Sequence, residues 1–254
     1  MAGSDFRSVK LVDRIDLSDE LAIFKLEYPG QFNFIPGQYA TLALTDGDKL
    51  IQRPYSIASS PYDYYLEFFI ELVPNGDLTP RLWQLKPGAS IYIRNRVAGR
   101  FTLDRKSRLN SHLMIATVTG IAPFVSMIRT YYRDFKNGKD EGLRFAVIHG
   151  ASRSWELSYY QEEFYTLMKL VEWVSYVPTI SRWWEDTGWR GELGRVEDIV
   201  RKYTDGLNFD YQRAVAYLCG HPQMIENAKD ILARARFSRE QIHEEKYFVI
   251  KEGK

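Results

Sequence analysis

The sequence predicts two domains of different build, an antiparallel six-stranded β-barrel followed by a Rossmann-like parallel α/β domain. Three observations predict it. Short strands bounded by turns fill the first hundred residues, a strand–helix alternation takes over from about His112, and a polar connector lies between them. Residues 1–107 are therefore expected to form the barrel and residues 108–254 the α/β domain.

In the first half, Leu21 to Leu26, Gln38 to Leu44, Leu66 to Val73 and Ser90 to Arg94 are rich in β-branched and aromatic residues. The breakers Pro29-Gly30, Pro36-Gly37, Asp46-Gly47, Pro74-Asn75-Gly76 and Lys86-Pro87-Gly88 separate them, the spacing of an antiparallel barrel. One helix interrupts this series, with Thr79 as its N-cap, Pro80 at its first position and Leu82 and Leu85 on its apolar side.

The connector Asp104-Arg105-Lys106-Ser107-Arg108 leads into the second half. Leu113 to Ala116, Leu143 to His149, Val171 to Ile180 and Arg213 to Cys219 read as buried strands, and Lys246 to Ile250 as a closing one. Helices are expected at about Pro123 to Phe135, Trp155 to Leu170 and Gly194 to Tyr203, with a last one opening at Pro222. Such units imply a parallel sheet covered on both faces, with ligands at the carboxyl ends of its strands.

Composition narrows the function. Hydrophobic residues at 45% and charged residues at 26% of 254 describe a globular chain. A net charge of +1 offers nothing to nucleic acid. The single cysteine, Cys219, excludes an internal disulfide, a thiolate-only zinc site and a cysteine-ligated iron–sulfur cluster. His112, His149, His221 and His243 show no metal-ligand spacing, so no metal is expected. Met1 to Lys10 has no apolar signal core and no apolar run is long enough to span a bilayer, so the expectation is a cytoplasmic protein without a membrane partner; a monomer is expected as well.

The segment Arg53-Pro54-Tyr55-Ser56 joins a cation, a ring and a hydroxyl after a strand-like run. An arginine can clamp a phosphate, a tyrosine can stack on a flat ring and a serine can bond a ring nitrogen. On chemistry alone it fits equally an Arg–carboxylate pair at a strand end.

With Pro36-Gly37-Gln38-Tyr39 before it, this segment resembles the flavin signature of the ferredoxin–NADP reductase superfamily, bacterial type. The resemblance continues in family order. Gly76-Asp77-Leu78-Thr79-Pro80-Arg81-Leu82 is similar to the second FAD segment, Ala98 to Asp104 to the interdomain link, and Thr117-Val118-Thr119-Gly120-Ile121-Ala122-Pro123 to the pyridine-nucleotide loop. Cys219-Gly220-His221-Pro222-Gln223-Met224 resembles the turn beside the nicotinamide pocket, and Glu245-Lys246-Tyr247-Phe248-Val249 the C-terminal flavin segment.

The resemblance implies an FAD enzyme that exchanges electrons between NADP(H), or NAD(H), and an acidic one-electron carrier such as ferredoxin or flavodoxin. It assigns Arg53, Gly76, Leu78 and Thr79 to the FAD pyrophosphate, Pro54 and Tyr55 to the isoalloxazine and Ser56 to the region of flavin N5. Tyr247 would stack on the opposite flavin face and Phe248 would cover the adenine end. Cys219, Gly220 and Glu245 would line the nicotinamide site, and Thr117, Thr119 and Gly120 the nucleotide loop. Ser152, Arg153, Ser181, Arg182 and Arg195, with Arg190 nearby, are the candidates for a 2′-phosphate. Other roles stay open: the reductase subunit of an oxygenase or other redox complex, or a non-catalytic flavin-binding module.

Three features stay ambiguous in the sequence. Arg94, Arg96, Arg100, Arg105, Lys106 and Arg108 form either a docking face for an acidic carrier or a solvated linker. Trp183 and Trp184 suit a core or a lid. His149 and His221 are placed on loops, structural or solvated. The one departure from the family pattern is Val118, where the resemblance calls for glycine. Valine disfavours a left-handed backbone and adds bulk, so looser nucleotide binding is expected.

Overall fold

A computed structural model describes residues 5–28, 30 and 32–247. It separates into two compact units, Met1–Leu103 with Ala122–Asn137, and Asp104–Ile121 with Gly138–Lys254.

The first unit is built on β1 (Phe6–Ser18), β2 (Leu21–Glu27), β3 (Tyr39–Asp46), β4 (Lys49–Ser56), β5 (Tyr65–Glu71) and β6 (Ser90–Arg94). They form one antiparallel sheet in the order β4-β3-β6-β1-β2-β5. A bridge between Ile57 and Phe68 brings the chain leaving β4 against β5, so the two edges meet and the expected barrel closes.

Strand β1 has no counterpart among the strands expected from sequence, because charged and polar residues interrupt its apolar ones. Its structural role explains the pattern. Residues Phe6 to Lys10 pair with β6, while Leu11 to Ser18 pair with β2, with a register shift between Leu11 and Asp13. One long strand thereby serves two neighbours across a bulge. Val9 and Leu11 point into a core that includes Phe24, Leu42, Phe68 and Ile93.

Helix α1 (Thr79–Trp83) is short, and its N-cap is Leu78 rather than Thr79. The threonine hydroxyl turns back instead, accepting from Val73 N at 2.9 Å and donating to Val73 O at 3.1 Å. The hydroxyl closes the preceding turn, a competing bond that short hydroxyl side chains readily make. Helix α2 (Ala122–Lys136) packs within this unit, where Arg129 pairs with the fully buried Glu67 at 2.8 Å and Ser126 Oγ donates to Ser59 O at 2.7 Å.

The second unit holds β7 (Ser111–Thr117), β8 (Arg144–Ala151), β9 (Val174–Ile180), β10 (Glu192–Leu193), β11 (Ala214–Gly220) and β12 (Ile242–Lys246), with helices α3 (Ser158–Leu170), α4 (Val196–Gly206) and α5 (Pro222–Arg234). All are parallel, in the order β10-β9-β8-β7-β11-β12. Strand β11 is buried at every position, as a sheet covered on both faces requires.

Two expectations shift. The closing strand is Ile242–Lys246, paired to β11, and Phe248 to Ile250 lie outside the described residues. His149 lies inside β8 and is fully buried, not on a loop, with Nδ1 3.0 Å from the Tyr176 hydroxyl.

Candidate functional site

On the barrel, Arg53, Pro54, Tyr55 and Ser56 are the last four residues of β4. The pleat exposes Arg53, packs Tyr55 partly against the core and buries Ser56. Burial pushes the Tyr55 phenol well up, against the opposing charge of Arg53, so the ring acts as a neutral surface. Arg53 meets Asp77 Oδ2 at 2.7 Å, which draws the end of β4 to the Gly76–Thr79 segment. Arg81 adds a cation that the sequence reading did not single out, pairing with Asp46 at 2.6 Å and donating to the Asp77 carbonyl. The Arg53–Asp77 pair is half or more exposed, so it contributes little stability and exchanges readily for another anion.

In the α/β unit the chain runs outward from β7 to β8, β9 and β10, then returns to place β11 on the other side of β7. That reversal is the topological switch point, where open α/β sheets bind ligands. Thr117, Thr119 and Gly120 leave β7 there and Cys219 and Gly220 end β11. A Cβ on Gly120 would lie 2.3 Å from Cys219 O, and one on Gly220 2.3 Å from Thr117 Oγ1. Gly120 packs on the backbone of Cys219, and Gly220, with φ of +121°, on both the hydroxyl and the backbone of Thr117, so only glycine fits at either position. Thr117 Oγ1 accepts from His221 N at 2.9 Å, and His221 caps α5 by accepting from Gln223 N at 3.1 Å.

Glu245 pairs in register with Cys219, and Tyr247 N donates to Gly220 O at 3.0 Å. These residues therefore gather around one turn. Burial, reinforced by the Glu245 carboxylate, pushes the Cys219 thiol well up. It stays protonated and uncharged.

A third cluster lies beyond β8 and β9. Ser181 N donates to Ala151 O at 3.0 Å and Arg182 N to Ser152 O at 2.9 Å, holding the two loops side by side. Arg153 Nε donates to Glu185 Oε2 at 2.6 Å, and Arg182 reaches the same carboxylate at 3.6 Å. Glu156 Oε2 accepts from Ser152 N at 2.9 Å, and Ser154 Oγ donates to Asp186. The sequence placed the arginines here and missed the carboxylates. Glu156 and Glu185 arrive from 3₁₀ turns (Ser154–Glu156 and Trp183–Glu185), with Asp186 directly after the second, instead of from a strand terminus. Arg195 instead caps α4, its backbone N donating to Asp198 Oδ2 at 2.9 Å. Trp183 and Trp184 are exposed, which removes them from the core.

Val118 keeps a left-handed backbone, with φ of +41°. Two interactions hold it there. Its carbonyl lies 2.9 Å from His149 Nε2, and its side chain packs against the cluster of Ala151, Leu157 and Ile180. Burial lowers the His149 pKa to about 4, so the ring is neutral and Nε2–H donates to Val118 O while Nδ1 accepts from Tyr176.

A closed antiparallel barrel and an open parallel sheet with a glycine-tight switch point define a two-domain protein whose second sheet has the build of a dinucleotide-binding fold. The family model described as "Oxidoreductase FAD-binding domain" matches residues 8–102, and "Oxidoreductase NAD-binding domain" matches residues 114–230. The chain is 31% identical over 205 residues to the flavodoxin/ferredoxin–NADP reductase of Escherichia coli, covering 77% of each. It is 31% identical over 231 residues to the ferredoxin–NADP reductase of Azotobacter vinelandii, covering 85% of this chain and 84% of that one. In fold it is similar to a ferredoxin NADP+ reductase from Neisseria gonorrhoeae with bound FAD and NADP, with a TM-score of 0.82, 21% identity, and coverage of 96% of this chain and 100% of that one. The chain belongs to the flavodoxin/ferredoxin–NADP reductase family of FAD-containing oxidoreductases.

Proposed function

We propose that this chain exchanges electrons between NADP(H) and an acidic one-electron carrier of the ferredoxin or flavodoxin type. The observation that carries the reading is the switch point, where Thr117, Gly120, Cys219 and Gly220 are packed backbone to backbone beside Glu245 and Tyr247. Residues 1–107 act as the FAD domain and 108–254 as the nucleotide domain. The single buried cysteine suits a reducing, cytoplasmic setting and the working form is a monomer; among the described residues no helix is long and apolar enough to cross a membrane.

Bound FAD supplies the exchange between paired and single electrons. Arg53 would release Asp77 to hold a phosphate, with the backbone of Gly76, Leu78 and Thr79 beside it. Tyr55 and Pro54 would offer an apolar face to the flavin ring, and Ser56 a hydroxyl. In the second unit, Tyr247 would shield the ring that nicotinamide must approach, with Phe248, outside the described residues, beyond it. Cys219, protonated, acts there as a small uncharged wall and not as a nucleophile. Arg153 and Arg182, with Ser152 and Ser181, would grip the 2′-phosphate, and Arg195 would stand at the start of α4.

Anaerobic titration of the flavin-containing protein with NADPH tests the reading directly, as bleaching of the flavin band followed by reoxidation with ferredoxin or flavodoxin. Arg53→Ala and Tyr55→Ala are each expected to purify with less flavin. A charge-assisted phosphate contact is typically worth about 1.5–3 kcal/mol, so the dissociation constant for FAD should rise by roughly ten- to a hundredfold. Full occupancy in both variants would remove the flavin assignment.

Val118 sets a second expectation. Glycine takes its left-handed conformation without strain, so Val118→Gly should relieve that strain and clear side-chain bulk from the nucleotide loop. A gain of roughly tenfold in kcat/KM for NADPH is expected, on the scale of ~1–3 kcal/mol for one such contact. Stopped-flow reduction of the flavin in both proteins decides it, and unchanged kinetics would show that valine is accommodated.

A further inference from the structure

We propose that Glu185 is the specificity-determining residue of the nucleotide site, a built-in counterion that lowers the preference for NADP(H) over NAD(H). The proposal rests on the reading of Arg153 and Arg182 as the 2′-phosphate clamp. Both guanidiniums converge on the Glu185 carboxylate, at 2.6 Å and 3.6 Å. Glu185 therefore occupies the position between the two cations that an added phosphate would need.

The three carboxylates of the cluster are not equivalent. Glu156 accepts the Ser152 amide and stands 3.8 Å from Arg153. Asp186 accepts from Ser154 Oγ and from Gly188 N at 3.0 Å. Both are thus tied into the turns. The Glu185 carboxylate, among the described residues, is held by guanidinium alone, and a third of its side chain is exposed.

Two carboxylates, Glu185 and Glu156, pair with the two guanidiniums of Arg153 and Arg182, so the cluster as it stands already balances its cations. A dianionic 2′-phosphate must displace Glu185 and then lie beside it, whereas a ribose 2′-hydroxyl carries no charge and meets no such cost. The arginines do not need Glu185 to remain adjacent. The backbone bonds Ser181 N to Ala151 O and Arg182 N to Ser152 O fix the two loops independently. Removing the charge should free a clamp that is already assembled.

The test is Glu185→Gln, which keeps the side-chain shape. Calorimetric titration of the FAD-loaded protein with 2′-phosphoadenosine 5′-phosphate and with adenosine 5′-phosphate measures the subsite without turnover. Flavin reduction by NADPH and by NADH measures it in the reaction. The variant should bind the 2′-phosphorylated probe and use NADPH about tenfold better, while adenosine 5′-phosphate and NADH stay within about twofold. An equal change for both nucleotides, or none, overturns the role of Glu185.

Arg153→Ala and Arg182→Ala separate that failure from failure of the clamp. If they lower NADPH and spare NADH while Glu185→Gln does nothing, only the counterion proposal falls. If they leave the NADPH-to-NADH ratio unchanged, the clamp reading falls and the proposal with it. Glu185→Asp supplies an independent check, since a shorter carboxylate should give an intermediate ratio.

Discussion

Replacing Arg129 by methionine is expected to cost the barrel unit about 3–5 kcal/mol, a large part of the stability of any domain. Glu67 sits on β5 with no exposed surface, and the Arg129 guanidinium on α2 meets its carboxylate at 2.8 Å. The same guanidinium donates to Ala58 O at 3.2 Å. Removing it leaves a carboxylate buried beside an apolar stem, where the desolvation cost is no longer offset. Breaking such a pair costs far more than replacing both members. The double variant Glu67→Leu/Arg129→Met should therefore return to within about 1 kcal/mol of the parent. Urea unfolding of the three proteins measures this. A single variant that unfolds within 1 kcal/mol of the parent would show that water or another group takes over the carboxylate.

Neither Glu67 nor Arg129 was legible as a pair in the sequence, since they lie on elements 62 residues apart and each reads as an ordinary surface charge. The order of the sheets was legible, because turn-bounded strands and the switch to a helical period are local signals. The same locality explains the misses. Strand β1 mixes charges with apolar residues because it feeds two neighbours, and its inward positions appear only once the bulge is known. Thr79 had the chemistry of a cap, yet tertiary geometry gave its hydroxyl to Val73.

At the site, the glycines and the arginines were readable because family order and residue type point the same way. Their countercharges were not. Asp77 lies 24 residues from Arg53, and Glu185 lies 32 residues from Arg153, each brought back by a turn. The plain alternative for Arg53, an Arg–carboxylate pair at a strand end, is what the structure contains, and it is compatible with a phosphate site because exposed pairs exchange. Val118 was visible as a departure, but its left-handed backbone and the buried His149 that supports it were not.

Acid should destabilise the α/β unit well above the range where carboxylates titrate. His112 and His149 are both buried in strands, and burial holds each near a pKa of about 4. For His112, the Arg105 and His243 charges push the same way and the Asp104 carboxylate opposes them. Its Nδ1 lies 3.1 Å from the Tyr217 hydroxyl, which also accepts from Asp104 N at 2.8 Å, and its ring stacks on Phe145 at 5.3 Å. His149 has its two nitrogens committed to Tyr176 and Val118. An unfolded histidine titrates near 6.5, so between about pH 6.5 and 4 the unfolded chain binds more protons than the folded one. Stability is therefore full above that window and falls as pH drops through it. Each histidine should cost about 2 kcal/mol by pH 5, about 4 kcal/mol for the pair. Urea unfolding at pH 7.5 and at pH 5.0 measures the loss. His112→Phe, which keeps a flat ring against Phe145 and cannot titrate, should remove about half of the pH dependence. Equal stability at the two pH values would mean that both rings take up a proton while still packed in their strands.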